Sequence, residues 1–511
     1  MRGRCLHATH APSSGFHKSC EEAGQRPTNG DPGRMISKDE YAAQDALGLA
    51  ALVANGAASP DELLDHALAR VAAVNPAVNA VTFLDEAGAR RQIDRGLPRG
   101  PFTGVPMLIK DMNAHVAGWP LTNGSRSYRD FICDHDSVLI ERYRRAGFVL
   151  FGRSASPEFG LTSTTETLVH GKTRNPFGLE RTSGGSSGGA SAAVAAGIIP
   201  LAHASDGGGS IRIPAACCGL FGLKPSRARI TMAPDAAEGW GSMSTVHAVG
   251  VSVRDSAALL DATAAPVPGD PYAAPAPARP WAAEVGAPVG RLRIALCLEA
   301  ANPTVLAAPA LDAIALIRAA LADLGHEIVE VARLPLSGPV LTAAQQTLIA
   351  CNVARSVDQR LAATGARIED VIEPVPLMLA TAGRAIPATA YLDALATIHD
   401  AGRRMAAFLD EGRYDLLLTP LLPDSPPPLG TLSLSPADLG DYVAAIGRVV
   451  AFTGLQNMTG QPAMAVPAGL DALGLPRAVQ VAARFGDEAQ LYRLAAQLET
   501  VVPWRGLRPA L

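Results

Sequence analysis

Short apolar strands alternate with helical patterns along most of this chain, which predicts an α/β protein. Three observations carry that expectation. Strand-like runs fall at 80–84, 148–151, 291–298, 327–331 and 415–419, each next to a segment of helical period. Apolar residues make up 48% and charged residues 18% of the 511-residue chain, a globular composition with material for a large core. No internal repeat divides it.

The elements follow in order. Residues 1–34 are polar and rich in Gly, Pro, Ser and His, with no apolar core of a signal peptide, and read as a disordered extension. Cys5, His7, His10, His17 and Cys20 in that stretch lack the spacing of a metal knuckle. One domain is expected from residue 35 to 511. Residues 38–54 are helical in pattern. Ser59-Pro60-Asp61-Glu62 is a capping box with proline at the first helical position, opening a helix to about Val74. Residues 85–95 form a further helix. Residues 104–111 (GVPMLIKD) form an apolar strand that ends in Lys110. Lysine normally sits in water, but burial of the preceding residues would carry Lys110 inside, lower its pKa and make it a base. Asp136-Ser137 caps a helix closed by Gly147, and residues 154–182 read as loop. Residues 211–225, punctuated by Pro and Gly, read as turns. A helix at 254–264 leads into a Pro/Ala-rich surface connection, 265–290. The second half has helices at 308–324, 340–363, 388–411, 440–453 and 487–500, with strands at 462–467 and 478–482.

Several functions are excluded early. Net charge is −4 without a basic stripe, which argues against nucleic acid. No apolar run approaches the roughly 18 residues of a membrane span. Seven cysteines without framework spacing favour a reducing, cytoplasmic setting. Oligomeric state is left between monomer and homodimer.

The chemistry concentrates between Gly184 and Ser210. GGSSGG at 184–189 places Ser186 and Ser187 at the start of an Ala-rich helix, where backbone N–H groups are free. DGGGS at 206–210 places Ser210 behind three glycines, a turn able to aim N–H groups at one oxygen. A flexible linker does not fit, because ordered elements flank the stretch. Residues 184–188 also match G-x-S-x-G formally. The hydrolase elbow that motif implies needs a buried strand before it and a partner histidine, and the preceding residues are polar and broken. The remaining reading is a serine nucleophile served by a lysine through a second serine, with Lys110, Ser186 and Ser210 as the parts.

These residues identify the chain as resembling the amidase signature family. The matching segments are PMLIKD at 106–111, GGSSGG at 184–189, DGGGSIR at 206–212, Pro214 and CGLFGLKP at 218–225, with weaker matches at 414–420 and 457–462 (NMTGQP). The resemblance runs from about residue 38 to the end. It implies a large mixed, twisted sheet covered by helices on both faces. It also implies Ser210 as nucleophile, Ser186 as bridging serine after a cis peptide bond, and Lys110 as general base. Gly207, Gly208, Gly209 and Ser210 would supply oxyanion N–H groups, with Ser187, Asp206 and Arg212 in support. The substrate pocket would draw on residues 291–455 and on Thr165, Trp240, Met243 and Cys351; the Met and aromatic content near 232–243 equally suits lid packing, and a mid-helix Cys is more often core. No metal and no cofactor is required, since serine and lysine handle the protons.

Residues 135–160 and 205–225 resemble the 6-aminohexanoate-cyclic-dimer hydrolase branch of the family, with aryl acylamidases and urethane hydrolases nearby. The implied partner is a small amide or carbamate, cleaved through an acyl-enzyme. An esterase using Ser186 and a non-catalytic amidotransferase-type subunit are the alternatives.

Overall fold

The computed structural model describes residues 36–300 and 302–511. The expected extension at 1–34 lies outside them. Contacts group residues 36–511 into one unit.

The helix expected over 38–54 is two helices, α1 (Lys38–Ala43) and α2 (Ala46–Ala54). Asp45 divides them. Its buried carboxylate caps Gly48 N–H at 2.9 Å and takes two hydrogen bonds of 2.6 Å from Arg254. The Ser59 capping box forms as read and opens α3 (Pro60–Val78). Then come β1 (Val81–Leu84), α4 (Glu86–Asp94) and β2 (Pro106–Lys110). α5 (Val138–Arg145) starts after Ser137, but that hydroxyl caps nothing. Asp136 instead pairs with Arg144 at 2.7 Å. β3 (Val149–Ser154) follows. The expected loop at 154–182 holds two small hairpins, β4 (Glu166–Thr167) with β5 (Gly171–Lys172), and β6 (Arg174–Asn175) with β7 (Gly178–Thr182).

α6 (Gly188–Ala195) and β8 (Leu201–Asp206) occupy the glycine-serine stretch. The turns expected at 211–225 are instead α7 (Arg212–Cys217) and β9 (Phe221–Lys224). Pro214 falls in the first turn of α7, where a missing N–H breaks no helical bond. β10 (Thr245–Gly250) and α8 (Val253–Thr263) lead to the proline-rich connection. That connection is pinned by buried Trp281, whose ring lies 5.0 Å from the Arg229 guanidinium.

The second half runs β11 (Arg293–Cys297), α9 (Ala308–Asp323), β12 (Glu327–Val331) and α10 (Gly338–Thr364). Next are α11 (Ile368–Val371), α12 (Pro374–Ala385), α13 (Ala388–Glu411) and β13 (Leu416–Pro420). α14 (Leu439–Val449), α15 (Gly454–Thr459), β14 (Ala463–Leu470), β15 (Pro476–Ala482) and α16 (Glu488–Val501) complete it.

The main sheet has eight strands in the order β12-β11-β13-β15-β14-β9-β10-β8. β12, β11 and β13 are parallel, and the other neighbours are antiparallel, so the sheet is mixed. A separate three-stranded sheet, β1-β3-β2, brings β2 beside β8 at the edge of the main sheet. Lys110 on β2 and residues 203–206 on β8 thereby come together. Among the described residues no helix is long and apolar enough to cross a membrane.

Candidate active site

Every residue of β2 is buried, and Lys110 at its end is wholly so. Its Nζ lies 2.7 Å from Ser186 Oγ and 2.9 Å from Ser205 Oγ. Its backbone N–H donates to His203 Nδ1 at 3.2 Å. Burial pushes the Lys110 pKa down to about 7, with Asp206 pulling the other way. Burial likewise pushes His203 down to about 3, so that ring is neutral and adds no charge beside the amine. A neutral lysine at hydrogen-bond distance from a serine hydroxyl is a usable base near pH 7.

The first glycine turn presents Ser186. The Gly185–Ser186 peptide is cis. The neighbouring Ser187 Oγ donates to the Ser205 carbonyl at 3.2 Å and accepts from Ser205 N–H at 3.3 Å. Ser187 thus ties the turn to β8. Gly160, at φ +68°, lets the loop after β3 pass close by: a Cβ there would sit 2.7 Å from Met112 Sδ and 3.2 Å from Ser186 Oγ.

The second turn follows β8. The buried Asp206 carboxylate accepts from Gly209 N–H at 2.7 Å and Ile211 N–H at 3.1 Å, and pairs with Arg212 at 3.0 Å. Burial opposes its charge, but Arg212, Lys224 and Asn457 hold the carboxyl well below the usual range. Arg212 also donates to the Thr453 carbonyl, Gln480 Oε1 and Asn457 Oδ1. Thr453 Oγ1 donates to the Gly208 carbonyl at 2.7 Å. The turn is therefore held from below by a buried ion pair and from the side by α15. Gly207, Gly208 and Ser210 keep N–H groups that meet no partner among the described residues, and the half-buried Ser210 hydroxyl is likewise free. Gly209, expected as a fourth oxyanion donor, has its N–H already spent on Asp206 and is unavailable for that role.

The expected pocket residues divide. Trp240 lies over the turn, and a Cβ on Gly207 would meet its ring at 2.8 Å. Thr165 is wholly buried, its hydroxyl donating to the Gly184 carbonyl and accepting from Gly188 N–H, so it braces the first turn from behind and lines no open space. Met243 is core, packed with Leu341 and Leu348. Cys351 is half-buried and donates to the Gly383 carbonyl of α12 at 3.9 Å.

Ser205, Thr453 and Gln345 went unnoticed in the sequence. Ser205 had a signal: in AHASD, positions 203 and 205 share one face of the strand, the face that meets Lys110. Gln345, on α10, places its amide nitrogen 3.7 Å from a Cβ built on Gly208. Nothing in the sequence relates it to a turn so far upstream. The elbow alternative has no histidine: His247 is bonded to Ser256, His326 to Gln497, and none meets Ser186 among the described residues.

A buried lysine, two serines on glycine turns and a set of idle N–H groups thus come together where β2 meets β8. The chain belongs to the amidase signature family: the amidase profile matches residues 62–492. It is 36% identical over 481 residues to the 6-aminohexanoate-cyclic-dimer hydrolase of Pseudomonas sp. (strain NK87), covering 92% of this chain and 97% of that one. It is 35% identical to an acylamidase of Rhodococcus erythropolis over 487 residues, covering 91% and 97%. The solved structure of a 6-aminohexanoate cyclic dimer hydrolase superposes with a TM-score of 0.87 at 34% identity, covering 92% of this chain and 99% of that one. A bacterial aryl acylamidase of the same family gives 0.82 at 27%, over 92% and 99%. The chain is an enzyme of the amidase class.

Proposed function

We propose that this enzyme hydrolyses the C–N bond of a small, neutral amide or carbamate through an acyl-enzyme on Ser210. Neutral Lys110 draws the proton of Ser186, which draws that of Ser210 as it attacks the carbonyl carbon. The oxyanion is received by the idle N–H groups of Gly207, Gly208 and Ser210; one such donor is commonly worth about 3 kcal/mol in the barrier. The proton then returns through Ser186 to the leaving nitrogen, and water, activated by the same relay, releases the acid. The carrying observation is the 2.7 Å contact between the fully buried Lys110 amine and Ser186. A substrate of the 6-aminohexanoate oligomer or aryl amide type is supported by the likeness to enzymes bearing those names. Carbamates present the same carbonyl and C–N bond to the relay.

The test is release of amine from anilides, linear and cyclic 6-aminohexanoate amides, and aryl carbamates, with Ser210→Ala and Ser186→Ala beside the parent enzyme. An acyl adduct on Ser210, detected by mass spectrometry after rapid quenching, is expected. Full activity in Ser210→Ala, or an adduct on Ser186, would overturn the assignment.

A further inference from the structure

Three surface segments meet away from the serine turns: the loop after β2, the stretch before α5, and residues 233–235. They bring together His115, His135 and Asp235, whose ligand atoms all lie within 4.8 Å of one another. We propose that these residues form a binding site for one divalent transition-metal ion of the zinc type.

The donor set is two imidazoles and a carboxylate, which suits zinc and its neighbours and leaves an open position for water. The spacing also fits. Two ligands each about 2.0–2.1 Å from a tetrahedral zinc lie about 3.3 Å apart. His115 Nδ1 and Asp235 Oδ1 are 3.3 Å apart. His135 Nε2 is nearer, at 2.8 Å from the same oxygen, the distance of a hydrogen bond that an ion would replace. The His115 and His135 rings are 4.8 Å apart between centroids, tilted by 42°.

Two features go beyond proximity. His115 Nδ1 is buried without a hydrogen-bond partner, although it faces a carboxylate. An ion between them satisfies both. His135 Nδ1 lies 2.6 Å from Asp134, a carboxylate–histidine pair that leaves Nε2 facing Asp235. This is the support that metal-binding imidazoles ordinarily have behind them. Charge balances as well: Asp134 and Asp235 offset a dication, while Arg153 is the cation on the inner side of His115. On binding, His135 Nε2 exchanges its hydrogen bond to Asp235 for the ion. The His135 side chain is 38% exposed, giving the ion an entry path.

The experiment titrates zinc chloride into the metal-free full chain by calorimetry in a non-coordinating buffer. One ion per chain is expected. His135→Ala and Asp235→Asn should each weaken binding at least tenfold, and Asp134→Asn by roughly tenfold, as for other such supporting groups. Circular dichroism checks that each variant is folded, and His115→Gln serves if one is not. A cobalt(II) substitution should give a spectrum without thiolate charge transfer. Unchanged affinity in His135→Ala and Asp235→Asn, a thiolate band, or no saturable binding overturns the proposal.

Discussion

Protonating Lys110 should switch the enzyme off, and the structure sets the scale. The amine is wholly buried and its pKa is pushed down to about 7. Only the neutral form can accept a proton from Ser186. Two pH units below that value, roughly 1% of a group is neutral. kcat/KM should therefore climb about tenfold per pH unit up to about 7 and level off above it, standing at pH 5 near one hundredth of the plateau. The assay is amine release from an anilide between pH 5 and 9.5, with the fold checked at each end by circular dichroism. Three other buried groups titrate in the same window, Lys224, Glu158 and Asp255, each shifted by burial to about 7. Variants separate them. Lys224→Met, Glu158→Gln and Asp255→Asn should keep the acid limb. Lys110→Met should lose it along with about 10²–10⁴ of the rate, the usual range for a general base. A rate flat down to pH 5, or an acid limb that survives in Lys110→Met, would refute the neutral-lysine relay. The sign for stability is separate. The unfolded chain holds this proton up to about 10.4, and the folded chain releases it near 7. Lys110 thus makes folding less favourable at and below pH 7, and stability should rise with pH between the two values relative to Lys110→Met.

The turns yield further predictions. Gly209→Ala should be strained and inactive, since φ is +131° and a Cβ would sit 2.4 Å from Thr453 Oγ1; Gly208→Ala has only Gln345 at 3.7 Å and should fold with a near-parental melting temperature. Thr453→Val removes the 2.7 Å hydrogen bond to the Gly208 carbonyl, so kcat should fall several-fold with KM little changed in steady-state assays. Arg212→Met strips the partner from buried Asp206 and should cost about 3–5 kcal/mol of stability by urea denaturation; parental stability would show that Asp206 is held by its N–H donors alone.

Much of the site was legible because its chemistry is written in local runs. Glycines at 184–189 and 207–209 announce backbone turns, and the lysine at the end of an apolar strand announces a buried amine. Helices with strong caps, such as that opened by Ser59, could be placed to within a few residues. The segments misread had punctuation that their surroundings overrode. Pro214 and Gly219 looked like turns, yet residues 212–224 hold α7 and a central strand. Residues 38–54 look continuously helical, yet Asp45 breaks them to meet Arg254 from another part of the chain.

The amino-acid sequence by itself determined the α/β class, the two serine turns and a lysine at the end of an apolar strand, because each rests on backbone propensity and burial within a few residues; the role of that lysine came with the family resemblance. Tertiary structure decided what those parts meet. It put β2 beside β8, so that one amine reaches both Ser186 and Ser205 across 76 and 95 residues of chain. It spent the Gly209 N–H on Asp206 and left its neighbours free. It turned Thr165 into a brace and Met243 into core. Such assignments depend on which donors and surfaces remain after the sheets have paired, and only the folded chain settles that competition.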